Sequence, residues 1–429
     1  MLIISLSRIR RAPVLFLNVL AMLSLCSGFL PLKGGRHLSS MSSKLDDLLD
    51  EMLSGHANVT TPATTDIATA NQWREIDWLQ EEERQAANST SPSPVEIQMI
   101  RDRLVYFKRD DQLRLPGSQI SGNKARKMWT LNHLEDFPSC LVSYGGPQSN
   151  AMLALAAVVH FHNLTEPTRL VYYTKKLPRL LKNQPNGNLF RALSLGMELR
   201  ELTHPEYKDW FGGDFGGQPA PPAALAPPDP DAVWIPQGGA LSGLARAGTR
   251  RLAQEIVEYW SSHGHGRPLT VVVPGGTCST AALLHDALQD CDLDIRVMVV
   301  PCVGDAGYAR RQMLSILTQE RGRESIPDIL GPQPESAQLF GQATSGYFSF
   351  GEPHEDILKV FREMEESGVV LDLLYGAPAW TVLLRHWRSL PEDRELMYVH
   401  SGGLEGINSQ LLRYKYKGLV EDVQLPGKK

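Results

Sequence analysis

The sequence predicts an α/β protein built from mostly parallel, twisted sheets covered by helices. Three observations lead there. Short apolar, β-branched segments alternate with helical ones through most of residues 95–429. Two of those segments, 141–143 and 269–273, run directly into glycine loops that open helices. The chain's 429 residues are roughly two to three ordinary domains, which suits a two-lobed protein with extensions.

Taken in order, the first strand signal is the extended run Leu104 to Lys108, followed by the charged turn Arg109-Asp110-Asp111. A glycine-led turn, Ser121-Gly122-Asn123-Lys124-Ala125-Arg126-Lys127, opens a helix over 127–134. Strand 140–143 then leads through Tyr144-Gly145-Gly146-Pro147-Gln148-Ser149-Asn150 into a helix over 151–160. A strand over 169–174, a helix over 187–196 and a strand over 197–202 continue the alternation, as parallel sheets with right-handed crossovers require. Residues 212–230 are rich in Gly, Pro and Ala and read as a flexible surface insertion. A helix is expected over 244–261. Strand 269–273 enters Pro274-Gly275-Gly276-Thr277-Cys278-Ser279-Thr280 and a helix over 281–288. The closing elements are a strand at 295–300, helices at 309–318, 354–367 and 381–387, and a strand at 397–400 that enters Ser401-Gly402-Gly403.

The N-terminus reads differently. Arg8, Arg10 and Arg11 precede an apolar run over 12–32, and residues 33–44 are basic and free of acid. Residues 1–44 therefore read as a targeting segment, a signal followed by a transit-like stretch, with plastid or mitochondrion as destination and a membrane anchor as the lesser option. Residues 45–94 read as a largely disordered linker that carries a short acidic helix at 45–53. The net charge of −5 offers no reason to expect nucleic acid or an anionic membrane as partner. Five scattered cysteines without a C-x-x-C pair argue against a structural metal site and against a disulfide scaffold.

The chemistry concentrates at two stretches. A lysine amine becomes nucleophilic when burial or a cationic neighbour lowers its pKa; Arg126 and Lys127 are the candidate neighbours of Lys124. The Gly145–Asn150 loop offers backbone N–H groups at a helix N-terminus, which suits a carboxylate or phosphate. The strand, hydroxyl-bearing glycine loop and helix start at 274–280 form a second anion cradle.

The pair Gly122-Asn123-Lys124-x-Arg126-Lys127 and Ser143-x-Gly145-Gly146-x-Gln148-Ser149-Asn150 resembles the 1-aminocyclopropane-1-carboxylate deaminase / D-cysteine desulfhydrase family, within the tryptophan-synthase-β-like, fold type II pyridoxal-phosphate enzymes. The resemblance implies two lobes within residues 95–429, the smaller near 127–205, and pyridoxal 5'-phosphate as cofactor. It implies that Lys124 carries the cofactor and moves the substrate proton. Asn150 would face the cofactor's phenolic oxygen, and Gly146, Gln148 and Ser149 would take the substrate carboxylate. Gly275, Gly276, Thr277, Cys278, Ser279 and Thr280 would hold the phosphate. Tyr375 would act on the substrate, and Ser401 would lie at the pyridine ring. His400 reads as a packing residue. Departures from the family pattern stand at Pro274, Thr280, Phe350, Gly376 and Pro378. Gly376 follows the tyrosine where the deaminase has an acid, and Ser401 resembles the desulfhydrase hydroxyl. The resemblance therefore implies β-elimination from a D-cysteine-like amino acid, and a homodimer. Ring opening of the cyclopropane acid, another fold type II reaction, or a non-catalytic binding role are the alternatives.

Overall fold

The computed structural model describes residues 73–85, 91–212, 220–239, 243–321, 325–331 and 348–421. The targeting segment 1–44, the acidic helix expected at 45–53, residues 213–219 of the insertion and Ser242 lie outside the described residues. Among the described residues no helix is long and apolar enough to cross a membrane.

Among the described residues, ten strands form two sheets. In chain order they are β1 Val95–Ile100, β2 Arg103–Lys108, β3 Cys140–Tyr144, β4 Arg169–Lys175, β5 Glu198–Leu202, β6 Ala232–Trp234, β7 Leu269–Gly275, β8 Ile295–Pro301, β9 Asp328–Ile329 and β10 Glu395–Val399. The six-stranded sheet runs β1-β2-β10-β7-β8-β9 and the four-stranded sheet β5-β4-β3-β6. Every pairing is parallel except the β1–β2 hairpin. Strands β3 and β7 are buried at every residue, as strands covered on both faces must be. Side-chain alternation then divides each strand between two cores. Val272 joins Phe107 and Trp380 on one face of the large sheet, while Val271 and Val273 join Trp260 and Leu284 on the other. In the small sheet, Leu141 packs with Leu155, and Val142 with Trp234 and Phe211.

The lobe boundary differs from the sequence expectation. Strand β6 pairs with β3, so the small sheet extends past residue 205 to Trp234. Three residues give β6 too weak a pattern to read locally. Part of the expected linker is also structured. The Arg74 N–H bonds the Ala232 carbonyl at 3.0 Å, its guanidinium bonds Asp231 at 2.8 Å, and the Trp73 ring meets Trp234 edge-on at 5.8 Å. Within the expected loose insertion, Leu225 is buried, and Asp229 accepts the Ser139 hydroxyl at 2.8 Å.

Both lobes aim strand C-termini at one region. β3 ends at the 145–149 loop, β7 at 276–278 and β10 at 400–403, which is where open α/β sheets bind ligands.

Candidate active site

A cavity of about 590 Å3 lies at these strand ends, lined by Lys124, Lys127, Ser149, Thr277, Tyr375 and Ser401 among others. Its walls come from both sheets, so residues more than 270 positions apart meet there.

Lys124 sits on the helix Gly122–Lys127. Gly122 has φ +67°, and a Cβ there would lie 2.2 Å from the Ser401 carbonyl oxygen. The Asn123 N–H donates to that same oxygen at 2.9 Å. Only glycine permits the lysine turn to lie on the β10 loop this closely. Gly122→Ala is expected to displace Lys124 and lower thermal stability, measured by calorimetry beside cofactor uptake.

Burial lowers the Lys124 amine to about 8. Burial is the cause, rather than the cationic neighbours expected from sequence. Arg126 turns away: its guanidinium bonds Asp110 at 2.8 Å and Glu255 at 2.6 Å. The amine's position sets a pH dependence. Capture of an aldehyde by the apoprotein needs the neutral amine, so its rate should rise about tenfold per pH unit and level off above about 8. Stopped-flow absorbance with pyridoxal phosphate checks this; a rate still climbing near pH 10 would place the amine in water.

Lys127 has a role that sequence reasoning missed. Its amine donates to Ser279 Oγ at 2.7 Å, inside the second glycine loop. Burial, then the charge of Lys124, hold it well below its ordinary value. It has no ion pair among the described residues. A buried amine without a carboxylate, beside two hydroxyls and a helix start, is an arrangement suited to an anion. Thr277 Oγ1 stands 3.2 Å from Ser279 Oγ, and the ten-residue helix Ser279–Leu288 begins there. Cys278 takes φ 56° to make the turn, and its thiol is pushed up to about 12 by burial, which leaves it a neutral packing group. Gly275 lies against Val299 and Cys278, where a Cβ would sit 2.6 Å from a Val299 methyl. At Gly276 a Cβ would stand 2.9 Å from the Tyr375 ring. Thr280 is buried in the first turn of the helix. Pro274 lies beyond Val272, the last β7 residue paired with β10, so its missing N–H falls where the strand has one neighbour.

The first glycine loop is arranged differently from expectation. Gln148 was expected at the substrate carboxylate. Its amide nitrogen donates to the Asn186 carbonyl at 3.0 Å and its oxygen accepts the Asn188 N–H at 2.9 Å, so both ends are spent on tying down the loop. Ser149 Oγ accepts the N–H groups of Ala151 and Met152, capping the thirteen-residue helix Asn150–His162. Gly146 faces open space, leaving the loop backbone and the positive helix end accessible. Asn150 Oδ1 accepts from Asn188 Nδ2 at 2.7 Å. Asn188 thus orients both Gln148 and Asn150; the only sequence signal was its place in the Gly187-Asn188 helix start.

Tyr375 is fixed by Asp372, a second residue whose role was missed. The buried carboxylate accepts the N–H groups of Leu374, Tyr375 and Gly376 at 2.8–2.9 Å. Burial raises the Asp372 carboxyl above its ordinary range despite those bonds. The spacing Asp372-x-x-Tyr375 before a helix was the readable signal. Burial pushes the Tyr375 hydroxyl up as well, so it stays protonated and able to donate at neutral pH. The Phe350 ring lies 5.5 Å from that of Tyr375 and rims the cavity. Ser401 lines the cavity through the β10 loop. His400 is structural, as expected: its Nε2 donates to the Val370 carbonyl at 2.7 Å and its Nδ1 accepts the Gly402 N–H at 3.3 Å.

Two parallel sheets, a lysine between them and a buried anion cradle at a β7 helix start define the class: the chain has the fold of the fold type II pyridoxal-phosphate enzymes. A solved structure described as an ACC deaminase homologue superposes with a TM-score of 0.54 at 18% identity, covering 79% of this chain and 99% of that one. A solved T.th. threonine deaminase superposes with a TM-score of 0.48 at 16% identity, covering 77% and 98%. No protein-family model matches the sequence, and no curated protein does.

Proposed function

We infer that this chain is a pyridoxal 5'-phosphate-dependent lyase that eliminates the β-substituent of a D-cysteine-like amino acid, giving pyruvate, ammonia and hydrogen sulfide. The observation that carries the reading is the pair of buried amines. Lys124 has a pKa lowered to about 8, and Lys127 bonds Ser279 in an anion cradle of the same cavity. Bound pyridoxal phosphate supplies an electron sink for the pair left when a proton departs from Cα.

The chain's own residues divide the remaining work. Lys127, Ser279, Thr277 and the Ser279–Leu288 helix start hold the phosphate. The 145–149 backbone and the N-terminus of the Asn150–His162 helix take the substrate carboxylate. The Lys124 amine takes the Cα proton, since a value near 8 lets it both accept and return one near neutrality. The neutral Tyr375 hydroxyl donates toward the departing sulfur. A serine at 401 cannot readily protonate the ring nitrogen, which suits a reaction that must hold only one carbanion.

Elimination is favoured over ring opening by position 376. Gly376 is buried, its N–H is held by Asp372 at 2.8 Å, and a Cβ would lie 3.1 Å from both Asp372 Oδ2 and Leu371 Cβ. The acid that the deaminase carries after its tyrosine is absent here, and a side chain at this position would require Asp372 or Leu371 to shift. Incubation with D-cysteine, L-cysteine and 1-aminocyclopropane-1-carboxylate, scored for sulfide, pyruvate and 2-oxobutyrate, tests the reading. 2-Oxobutyrate as the main product would move the assignment to the deaminase.

Two further parts of the reading are an organellar destination, plastid or mitochondrion, directed by residues 1–44, and a homodimer. The exposed Ile97, Met99 and Leu104 on the β1–β2 hairpin, with Met99 paired to Leu104, support the dimer. Light scattering of the purified chain measures it directly.

A further inference from the structure

Three cations line the cavity among the described residues, Lys124, Lys127 and Arg413, and no aspartate or glutamate does. The two lysines already have tasks. Arg413 has no part in the elimination itself. It lies on the C-terminal helix Ile407–Tyr416 and is exposed at the rim. Its guanidinium approaches Gly351, where a Cβ would sit 3.0 Å from Nη1, and its hydrogen bond to Gln410 Oε1 is a long one at 3.5 Å. The nearby acid Glu352 bonds Lys417 at 3.2 Å instead. Arg413 therefore has no ion pair among the described residues.

Arg413 shares the cavity with both anion sites already described but belongs to neither loop. The cofactor phosphate belongs to the 276–280 loop and the α-carboxylate to the 145–149 loop. Arg413 borders Gly351, beside the Phe350 ring that lies 5.5 Å from that of Tyr375, and Tyr375 is the residue that the lyase reading sets against the departing group. A guanidinium presents a planar fork of donors suited to carboxylate, sulfonate or phosphate, and a cavity without acids concentrates its field.

We propose that Arg413 is a specificity residue: it selects amino acids whose side chain ends in a second negative group. This rests on the pyridoxal-phosphate lyase reading and goes beyond its D-cysteine-like substrate: a neutral thiol leaves Arg413 unused, and an anionic leaving group engages it. O-Phosphoserine serves as the anionic probe. Its Cα–H bond breaks with the proton passing to Lys124, and its Cβ–O bond breaks with phosphate leaving on the electron pair. Water then releases pyruvate and ammonia. 3-Chloroalanine, eliminated in the same way with chloride leaving, is the neutral reference, and both enantiomers of each are used.

Arg413→Gln is expected to raise KM for O-phosphoserine by about 10- to 100-fold, the range of one charge-assisted hydrogen bond. Its kcat, and both constants for 3-chloroalanine, should change by less than about twofold, with Arg413→Lys intermediate. For the unaltered protein, KM for O-phosphoserine should rise with salt while that for 3-chloroalanine stays level. Equal losses on the two substrates, or no preference of the unaltered protein for the anionic one, would overturn the proposal. A protein that takes up no pyridoxal phosphate would overturn the lyase reading beneath it, an outcome read separately from the visible spectrum before any substrate is added.

Discussion

Lys124→Ala is expected to abolish the visible absorption band formed with pyridoxal phosphate and to lower pyruvate formation from D-cysteine by at least about a thousandfold. The magnitude follows from the number of tasks one amine performs. On the proposed reading it anchors the aldehyde and is also the base, whose value near 8 would permit proton transfer at neutral pH. Neighbouring groups do not replace it. Lys127 is directed to Ser279 Oγ at 2.7 Å, and the Tyr375 hydroxyl is held protonated by burial. The variant should fold at least as well as the parent, because a desolvated amine costs stability that alanine does not. Unchanged or raised thermal stability together with lost activity therefore separates chemistry from unfolding. A variant that still makes pyruvate at the parent rate would remove Lys124 from the mechanism.

The second large effect is on stability. Glu255→Ala should lower the free energy of unfolding by roughly 3–5 kcal/mol, measured by urea denaturation. Glu255 stands between Lys108 and Arg126, both almost wholly buried, and Asp110 is the other partner of Arg126. Removing Glu255 leaves the buried Lys108 without its ion-pair partner and Arg126 with Asp110 alone. By contrast Lys182–Glu201 at 2.7 Å is a surface pair and should be worth about 0–1 kcal/mol. The sign with pH is defined. Burial opposes the charged forms of Asp110 and Glu255, but Arg126 and Lys108 outweigh it and hold both carboxyls below their usual range. Their contribution is therefore present above the ordinary carboxylate values and is lost as pH falls through the lowered ones. The cluster also fixes the helix that carries Lys124. Gly248 packs so closely that a Cβ would lie 1.9 Å from the Arg126 carbonyl oxygen, locking the helix Arg246–His263 against the lysine turn.

Much of this was legible in the chain. Strand β7 reads as Leu-Thr-Val-Val-Val, and burial on both faces is why the pattern is continuous rather than alternating. The two glycine loops and Ser401 were readable because each follows a strand whose exit loop demands particular residues, and Lys124 because Gly122 opens its short helix. Gly122 and Cys278 sit in the left-handed region, and Ser149 caps a helix. The Gln148 side chain is engaged elsewhere for an equally local reason. A polar side chain in a glycine loop resembles a ligand-binding group until its partners, the Asn186 carbonyl and the Asn188 N–H, are seen to occupy it.

The local pattern of apolar runs, glycine turns and helix caps was by itself enough to determine the α/β class and to single out the strand-end loops and the lysine that line one cavity. Such signals depend on neighbours within a few residues. The tertiary structure alone decided which way each polar side chain faces. It sent Arg126 to Asp110 and Glu255, brought Lys127 across 152 positions to Ser279, set Asp372 beneath Tyr375 and placed Arg413 on the cavity rim. Several of those contacts join segments far apart in the chain, and the Lys124 amine is buried in a cavity whose lining spans residues 123–416. No local stretch contains the atoms that exclude the water, so no local pattern can report the shift.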